Sequence, residues 1–374
     1  MKICKECIQP DTRPGIYFNS EGICGACLWE HEKNDINWTE RESDLLDIVS
    51  HAKSKKTSIY DCAIGVSGGK DSTFQAITAR DRLGLKCLLV NYQPENITET
   101  GSKNLENLKN LGFDVVSIRP NPKIMKKLIR HSFFKNLNPV KPTEFSLFSS
   151  TYIIAEKFNI PLIIQGENPG LVLGTRLTGV GTDSNALKAD ELQTLSSGWK
   201  EYAQIEGVTE DDLFWFHYNK KKLEDNGVVG IWLNYFIKEY SQGYNAEFSK
   251  KHGFVGREKI DPNLVGTYNS EYALDSPLVP VNQLLKFLKF GFGFCMDHAC
   301  FDIREGKMNR KEAIELVLKY DGKCSEEFIK EFCIYADITN EEFWSTAEKF
   351  RGKMWKKHGN EWENEVWTEL KNQI

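Results

Sequence analysis

The sequence predicts an α/β fold, a parallel sheet with helices on both faces, and three observations carry that expectation. Short apolar, β-prone runs alternate with segments of helical character from Asp61 to Gln165. The first run, Asp61–Val66, passes through Ser67-Gly68-Gly69-Lys70 into Asp71-Ser72-Thr73-Phe74, which reads as a strand, a turn of little side-chain bulk and a helix N-terminus. Finally, Ser67–Ser72, Asn91-Tyr92 and Gly166-Glu167-Asn168 all fall at carboxyl ends of expected strands, where open parallel sheets bind ligands.

Composition sets the frame. A chain of 374 residues has room for about two domains, and 40% hydrophobic with 27% charged residues is the balance of a soluble globular protein. No apolar run approaches bilayer length and Met1-Lys2-Ile3-Cys4 lacks the apolar core of a signal peptide, so the expected location is cytoplasmic, with no membrane partner. Ten cysteines then read as metal ligands or reduced thiols rather than disulfides. A net charge of −5 argues against a nucleic-acid partner, which usually demands a basic stripe.

Residues 1–37 carry Cys4-x-x-Cys7 and Cys24-x-x-Cys27 with 16 residues between the pairs, a spacing expected of a four-cysteine zinc ribbon. Four thiolates close a tetrahedral shell, so this zinc is expected to be structural. Residues 38–56 form a connecting helix, with a capping-box-like Thr39-x-x-Glu42 at its start. The main domain is expected over 57–310. Its strands are Asp61–Val66, Lys86–Tyr92, Asp114–Ile118 and Pro161–Gln165; its helices are Ser72–Leu83, Glu99–Leu111, Pro122–Phe134 and Thr143–Phe158. The segment at about 170–254, glycine-rich and then charged and aromatic, reads as an insertion or cap over the sheet edge, with a further short strand at Gly230–Phe236. Gln283–Phe294 reads as an apolar helix interrupted by Lys286 and Lys289, and Asn309-x-x-Glu312 opens a capped helix ending near Tyr320. Residues 311–374 are expected to be helical, with a Trp-rich amphipathic tail.

The Ser-Gly-Gly turn brings backbone N–H groups and a helix start together, an arrangement suited to polyphosphate. It is not a Walker A loop: aligned on Gly69-Lys70, the first glycine falls at Ile64 and the Ser/Thr at Asp71. Nor do Gly65, Gly68 and Gly69 have dinucleotide-fingerprint spacing. Charges embedded among phenylalanines need partners; for Lys286, Lys289 and Arg304 these are either a bound triphosphate or carboxylates of the chain. Cys295, His298 and Cys300 match no standard zinc spacing.

Ser67-Gly-Gly-Lys-Asp-Ser72 resembles the pyrophosphate loop (PP-loop) of ATP pyrophosphatases, which cleave ATP between its α and β phosphates. With the cysteine pairs, Gly166-Glu-Asn-Pro169, Lys286-Phe-Leu-Lys-Phe-Gly-Phe-Gly293 and Asp302-Ile-Arg-Glu-Gly306, nearly the whole chain resembles the N-acetyl sugar amidotransferase family. The resemblance implies a Rossmann-like sheet of the adenine nucleotide alpha hydrolase type. It also implies conversion of a sugar acetamido group, pseudaminic-acid-type or related, to an acetamidino group, for flagellin or surface-glycan (lipopolysaccharide) synthesis. ATP, Mg²⁺ and structural Zn²⁺ are the implied cofactors. On that reading Ser67, Gly68, Gly69 and Ser72 hold phosphates; Asp71 orients the loop or binds Mg²⁺; Lys70 joins them or points to solvent. Asn91, Gly166 and Asn168 complete the ATP site, and Glu167, Lys286 and Lys289 act with Asp71 in catalysis. Arg304 and His298 face substrate.

Chemically, an amide oxygen is a very poor leaving group, and adenylation makes it a good one that ammonia can displace. No glutaminase signature is present: Lys2 stands where an N-terminal-nucleophile cysteine belongs, and no Gly-x-Cys-x-Gly elbow occurs. Ammonia is therefore expected free or from a separate glutaminase subunit. Two rival readings are a tRNA-modifying enzyme of the same loop type and a non-catalytic, ATP-sensing zinc-ribbon adaptor.

Overall fold

The computed structural model describes residues 1–374 except Glu95, Ser196, Ala273 and Asn360. Five short apolar segments, β1 (Cys62–Val66), β2 (Cys87–Tyr92), β3 (Asp114–Ile118), β4 (Leu162–Gln165) and β5 (Val229–Trp232), form one sheet in the order β3-β2-β1-β4-β5. Every pairing is parallel. Burial on both faces explains why β2 is apolar from Cys87 through Val90 rather than alternating. The chain steps outward from β1 to β3, then returns to lay β4 on the other side of β1. The order thus reverses between β1 and β4, and the crevice beyond their carboxyl ends is the switch point of the sheet.

Successive residues feed two cores. On one face Ala63, Leu88, Val90, Ile163 and Trp232 meet the helices Pro122–Asn136 and Lys141–Lys157. On the other, Ile64, Leu89, Ile164 and Ile231 meet the helices Trp38–Lys55, Lys70–Ile77 and Glu99–Asn110. A third core joins the cysteine-bearing N-terminal segment to the helices Phe294–Arg304, Arg310–Tyr320 and Glu365–Lys371. No helix among the described residues is long and apolar enough to cross a membrane.

Several expectations need correction. The connecting helix is capped by Asn37, whose side chain accepts the Glu40 N–H, so Thr39 lies inside the first turn. The helix after the loop starts at Lys70 and is α-helical only to Ile77, continuing as a π-turn through Arg82. The 170–254 segment is not wholly a cap. Its Val-Gly-Ile-Trp run completes the free edge of β4, and its Gln242–Lys250 helix packs on the loop helix, with Phe74 edge-on to Tyr240, Tyr244 and Phe248. The lysine-bearing helix runs from Leu278 to Phe290, where Gly291 (φ +76°) ends it. A separate helix then starts at Phe294, its N-terminus held by Asp321, which accepts N–H groups of Gly293 and Cys295. The Trp-rich tail is not all helix: β6 (Trp355–His358) and β7 (Glu361–Asn364) form an antiparallel hairpin. The Asn309/Glu312 capping box is present as expected.

Candidate functional site

Ser67 and the two glycines turn the chain from β1 into the helix Lys70–Ile77. Gly68 has φ +81°, and a Cβ there would lie 2.9 Å from the Leu105 backbone nitrogen, so both conformation and crowding call for glycine. Ser67 Oγ accepts the Gly69 N–H (3.3 Å) and Ser72 Oγ donates to the Gly69 carbonyl (3.1 Å). No side chain caps the helix at Gly69, leaving first-turn N–H groups for a ligand. Asn91, at the end of β2, donates to the Val66 carbonyl (2.8 Å) and so ties β2 to the base of the loop. The recess here is small, about 50 Å³, and is walled by Asn104, Glu271 and Asp275 as well as the loop.

Lys70 is not solvent-facing, correcting one of its two expected placements. It is buried, its ammonium 3.7 Å from the centre of the Tyr272 ring, and it donates to Asp71 Oδ2 (2.5 Å) and Gln242 Oε1 (2.6 Å). Gln242 Nε2 in turn donates to Glu167 Oε2 (2.7 Å). Asp71 Oδ1 accepts from Asn245 (2.8 Å), so both its oxygens are held by the chain, the geometry of a group that orients the loop. The result is a continuous hydrogen-bonded path from the loop helix, through Lys70 and Gln242, to Glu167, two residues beyond the end of β4. Burial, reinforced by the Asp71 carboxylate, pushes the Glu167 carboxyl up to about 7, against the pull of Lys70 and Gln242.

Glu167 also lines a cavity of about 710 Å³, with Lys286 and Lys289. Its mouth follows from the topology. Trp232 ends β5, and Lys141 and Glu144 begin the helix antiparallel to the strands, so all sit at the carboxyl edge of the sheet. Lys286 donates to Asp297 Oδ2 (2.5 Å), and Arg13 pairs with the other oxygen. Although burial opposes ionisation, Arg13 and Lys286 hold the Asp297 carboxyl down at about 2. Lys289 donates to the Asn136 carbonyl (2.6 Å), and burial lowers it to about 8.

The four expected cysteines do converge: all are buried, and their sulfurs lie within 4.8 Å of one another. Cys4–Cys27 and Cys7–Cys24 are 3.8 and 3.6 Å apart, where a tetrahedron with bonds of about 2.3 Å has edges of about 3.8 Å. Backbone N–H groups of Gln9 and Cys24 point at Cys7 and Cys4 sulfurs, as knuckles do around thiolates. These residues fit a closed, structural zinc site.

The remaining expected residues are placed as follows. Asn168 caps the turn after β4, accepting the Gly170 N–H (2.7 Å) and donating to the Asp183 carbonyl (2.9 Å); the Gly166 carbonyl accepts from Asn234 (3.3 Å). Buried His298 bonds Thr267 and lies against Tyr272, and burial lowers it to about 3, so it is neutral and outside the cavity. Arg304 bonds the Val172 carbonyl (3.3 Å) and faces the cysteine cluster, not the cavity. Gln242, Tyr272 and Arg13 were not foreseen. No local pattern marks them, because each is brought in by packing between distant segments.

Fold and site together define an α/β protein with a glycine loop at the switch point of a parallel sheet, a cavity beside it and a four-cysteine cluster that could hold a metal ion. Residues 263–371 match the family model described as LPS biosynthesis protein WbpG-like, C-terminal domain. Among solved structures, one match is the NMN synthetase from Francisella tularensis, at 14% identity, covering 60% of this chain and 100% of that one with a TM-score of 0.29. No curated protein matches.

Proposed function

We propose that the protein is an ATP-dependent sugar amidotransferase that adenylates the acetamido oxygen of an N-acetylated sugar and replaces that oxygen with ammonia. The observation that carries this reading is Glu167, which ends the hydrogen-bonded path from Asp71 and Lys70 of the helix that follows the Ser67–Gly69 loop, and also lines the large cavity. One site thus offers phosphate-binding backbone and the other room for an acceptor, with a carboxyl between them. The match of residues 263–371 to a lipopolysaccharide-biosynthesis model supports a saccharide acceptor.

The steps balance without a covalent enzyme intermediate. The acetamido oxygen attacks the α phosphorus of ATP, and pyrophosphate leaves toward the N–H groups of Gly68, Gly69 and the first helical turn. Ammonia adds to the resulting O-adenyl imidate carbon, and AMP departs with the original oxygen, leaving an amidine. Glu167, with its carboxyl near 7, accepts the proton that the attacking nitrogen must lose. Mg²⁺, where bound, neutralises charge on the leaving pyrophosphate. Ammonia is supplied free or by a separate glutaminase.

Purified protein incubated with ATP, Mg²⁺, ammonium and a panel of acetamido sugars should release pyrophosphate and give a product about 1 Da lighter, the difference between O and NH. Pyrophosphate release that depends on tRNA and on no sugar would sink this reading, as would ATP binding with no release under any acceptor.

A further inference from the structure

We infer that one corner of the large cavity, built by Arg13, Lys286, Lys289 and Asn136, binds an anionic group of the acceptor, and that the cysteine-bearing segment supplies one of its cations. The inference rests on the cavity being the acceptor site. Arg13 lies in the loop between the two cysteine pairs, and its side chain is only 10% exposed. Together with Lys286 it flanks Phe292, at 4.7 and 5.1 Å from the ring centre. These two cations share the single carboxylate of Asp297 and leave one positive charge over.

Lys289 adds a second. Among the described residues it has no carboxylate partner, and its ammonium uses one donor on the Asn136 carbonyl. Lys141, across the cavity, shares the carboxylate of Glu201 with Lys135, at 2.6 and 2.9 Å. Burial raises the carboxyls of the cavity's own acids, Glu144 and Glu167, and among the described residues neither forms an ion pair with Arg13, Lys286 or Lys289. Two further donors are buried with no partner: Arg13 Nε and Asn136 Nδ2. A buried donor left unpaired is costly, so their clustering beside these cations calls for an acceptor-rich guest. A carboxylate or a phosphate supplies that chemistry, and the apolar walls of Phe290, Phe292 and Trp232 suit the face of a sugar ring.

Calorimetry on the intact, metal-loaded protein tests this without ATP or turnover. The probes are N-acetylglucosamine (neutral), N-acetylneuraminic acid (carboxylate) and UDP-N-acetylglucosamine (phosphate). One charged probe should bind about 10-fold or more tightly than the neutral one, identifying the anion, and Lys289→Gln and Arg13→Gln should each remove most of that preference. Lys289→Gln lies outside the metal centre, so its result stands even where Arg13→Gln disturbs the ribbon. Equal binding of all three probes, or an undiminished preference in Lys289→Gln, overturns the inference. Failure of amidine formation would leave these binding results intact, so the two readings fail separately.

Discussion

Glu167 sits where the loop's polar network meets the cavity, and its ionisation should be visible in both stability and rate. An unfolded glutamate titrates near 4.3, whereas burial holds this one up at about 7. Between those values the folded chain keeps a proton that the unfolded chain has released. Stability therefore falls as pH rises from about 4.5 to about 7 and levels off above. Asp321, also pushed up to about 7 by burial, contributes with the same sign. Burial raises Glu144, Asp275 and Asp302 as well and lowers His298, which acts with the opposite sign, so Glu167→Gln should lessen the fall in urea midpoint between pH 5 and pH 7.5 rather than abolish it. It should also remove the rise of turnover through pH 7. An unchanged pH-rate profile in the variant would exclude Glu167 as the proton acceptor.

At the scale of elements, the loop depends on one backbone conformation. Gly68→Ala places a Cβ against Leu105 in left-handed backbone, which costs about 1–3 kcal/mol. ATP binding should be lost along with several degrees of melting temperature, measured by calorimetry; intact ATP affinity would show that the turn does not hold phosphate. This element was legible in the sequence because its strand is a continuous apolar run and its turn has few conformational options. β2 and β3 were readable for the same reason. What escaped were features decided by distant partners. β5 was expected as a short strand at Gly230–Phe236, but its actual extent, Val229–Trp232, is set by the open edge of β4 beside it. Lys70 looked free to reach solvent, because nothing near it in sequence announces Gln242, Asn245 or Tyr272. The cysteine cluster was plain from spacing, but its Arg13 loop was not, since Asp297 is 284 residues away.

Over the whole molecule, the cysteine segment is a wall of the cavity rather than an appendage. Its second knuckle meets the loop after β4 backbone to backbone: Gly174 has φ +71°, and a Cβ there would lie 2.6 Å from the Ala26 nitrogen. Arg176 reinforces the seam by donating to the Gly25 carbonyl (2.7 Å). Losing the metal should therefore reach the cavity. Cys24→Ser is expected to lose bound zinc by elemental analysis and to weaken binding of the charged sugar probe, while the sheet keeps its far-UV circular dichroism. Full zinc retention in that variant would refute the cluster as a metal site.

The way the third core is assembled has a kinetic side. The cysteine pairs are 17 and 23 residues apart, so metal can gather them as a local event. Their surroundings are remote: Arg310 closes on the Cys4 carbonyl across 306 residues, and the last helix covers the same cluster. Forming that contact means ordering a very long loop, a slow step in folding by the usual dependence on sequence separation. A metal-gathered knuckle would hold four thiols in a protected state while the rest of the chain finds its place. Because its contacts are so remote in sequence, docking of the cysteine segment is expected to complete the wall of the cavity late in folding.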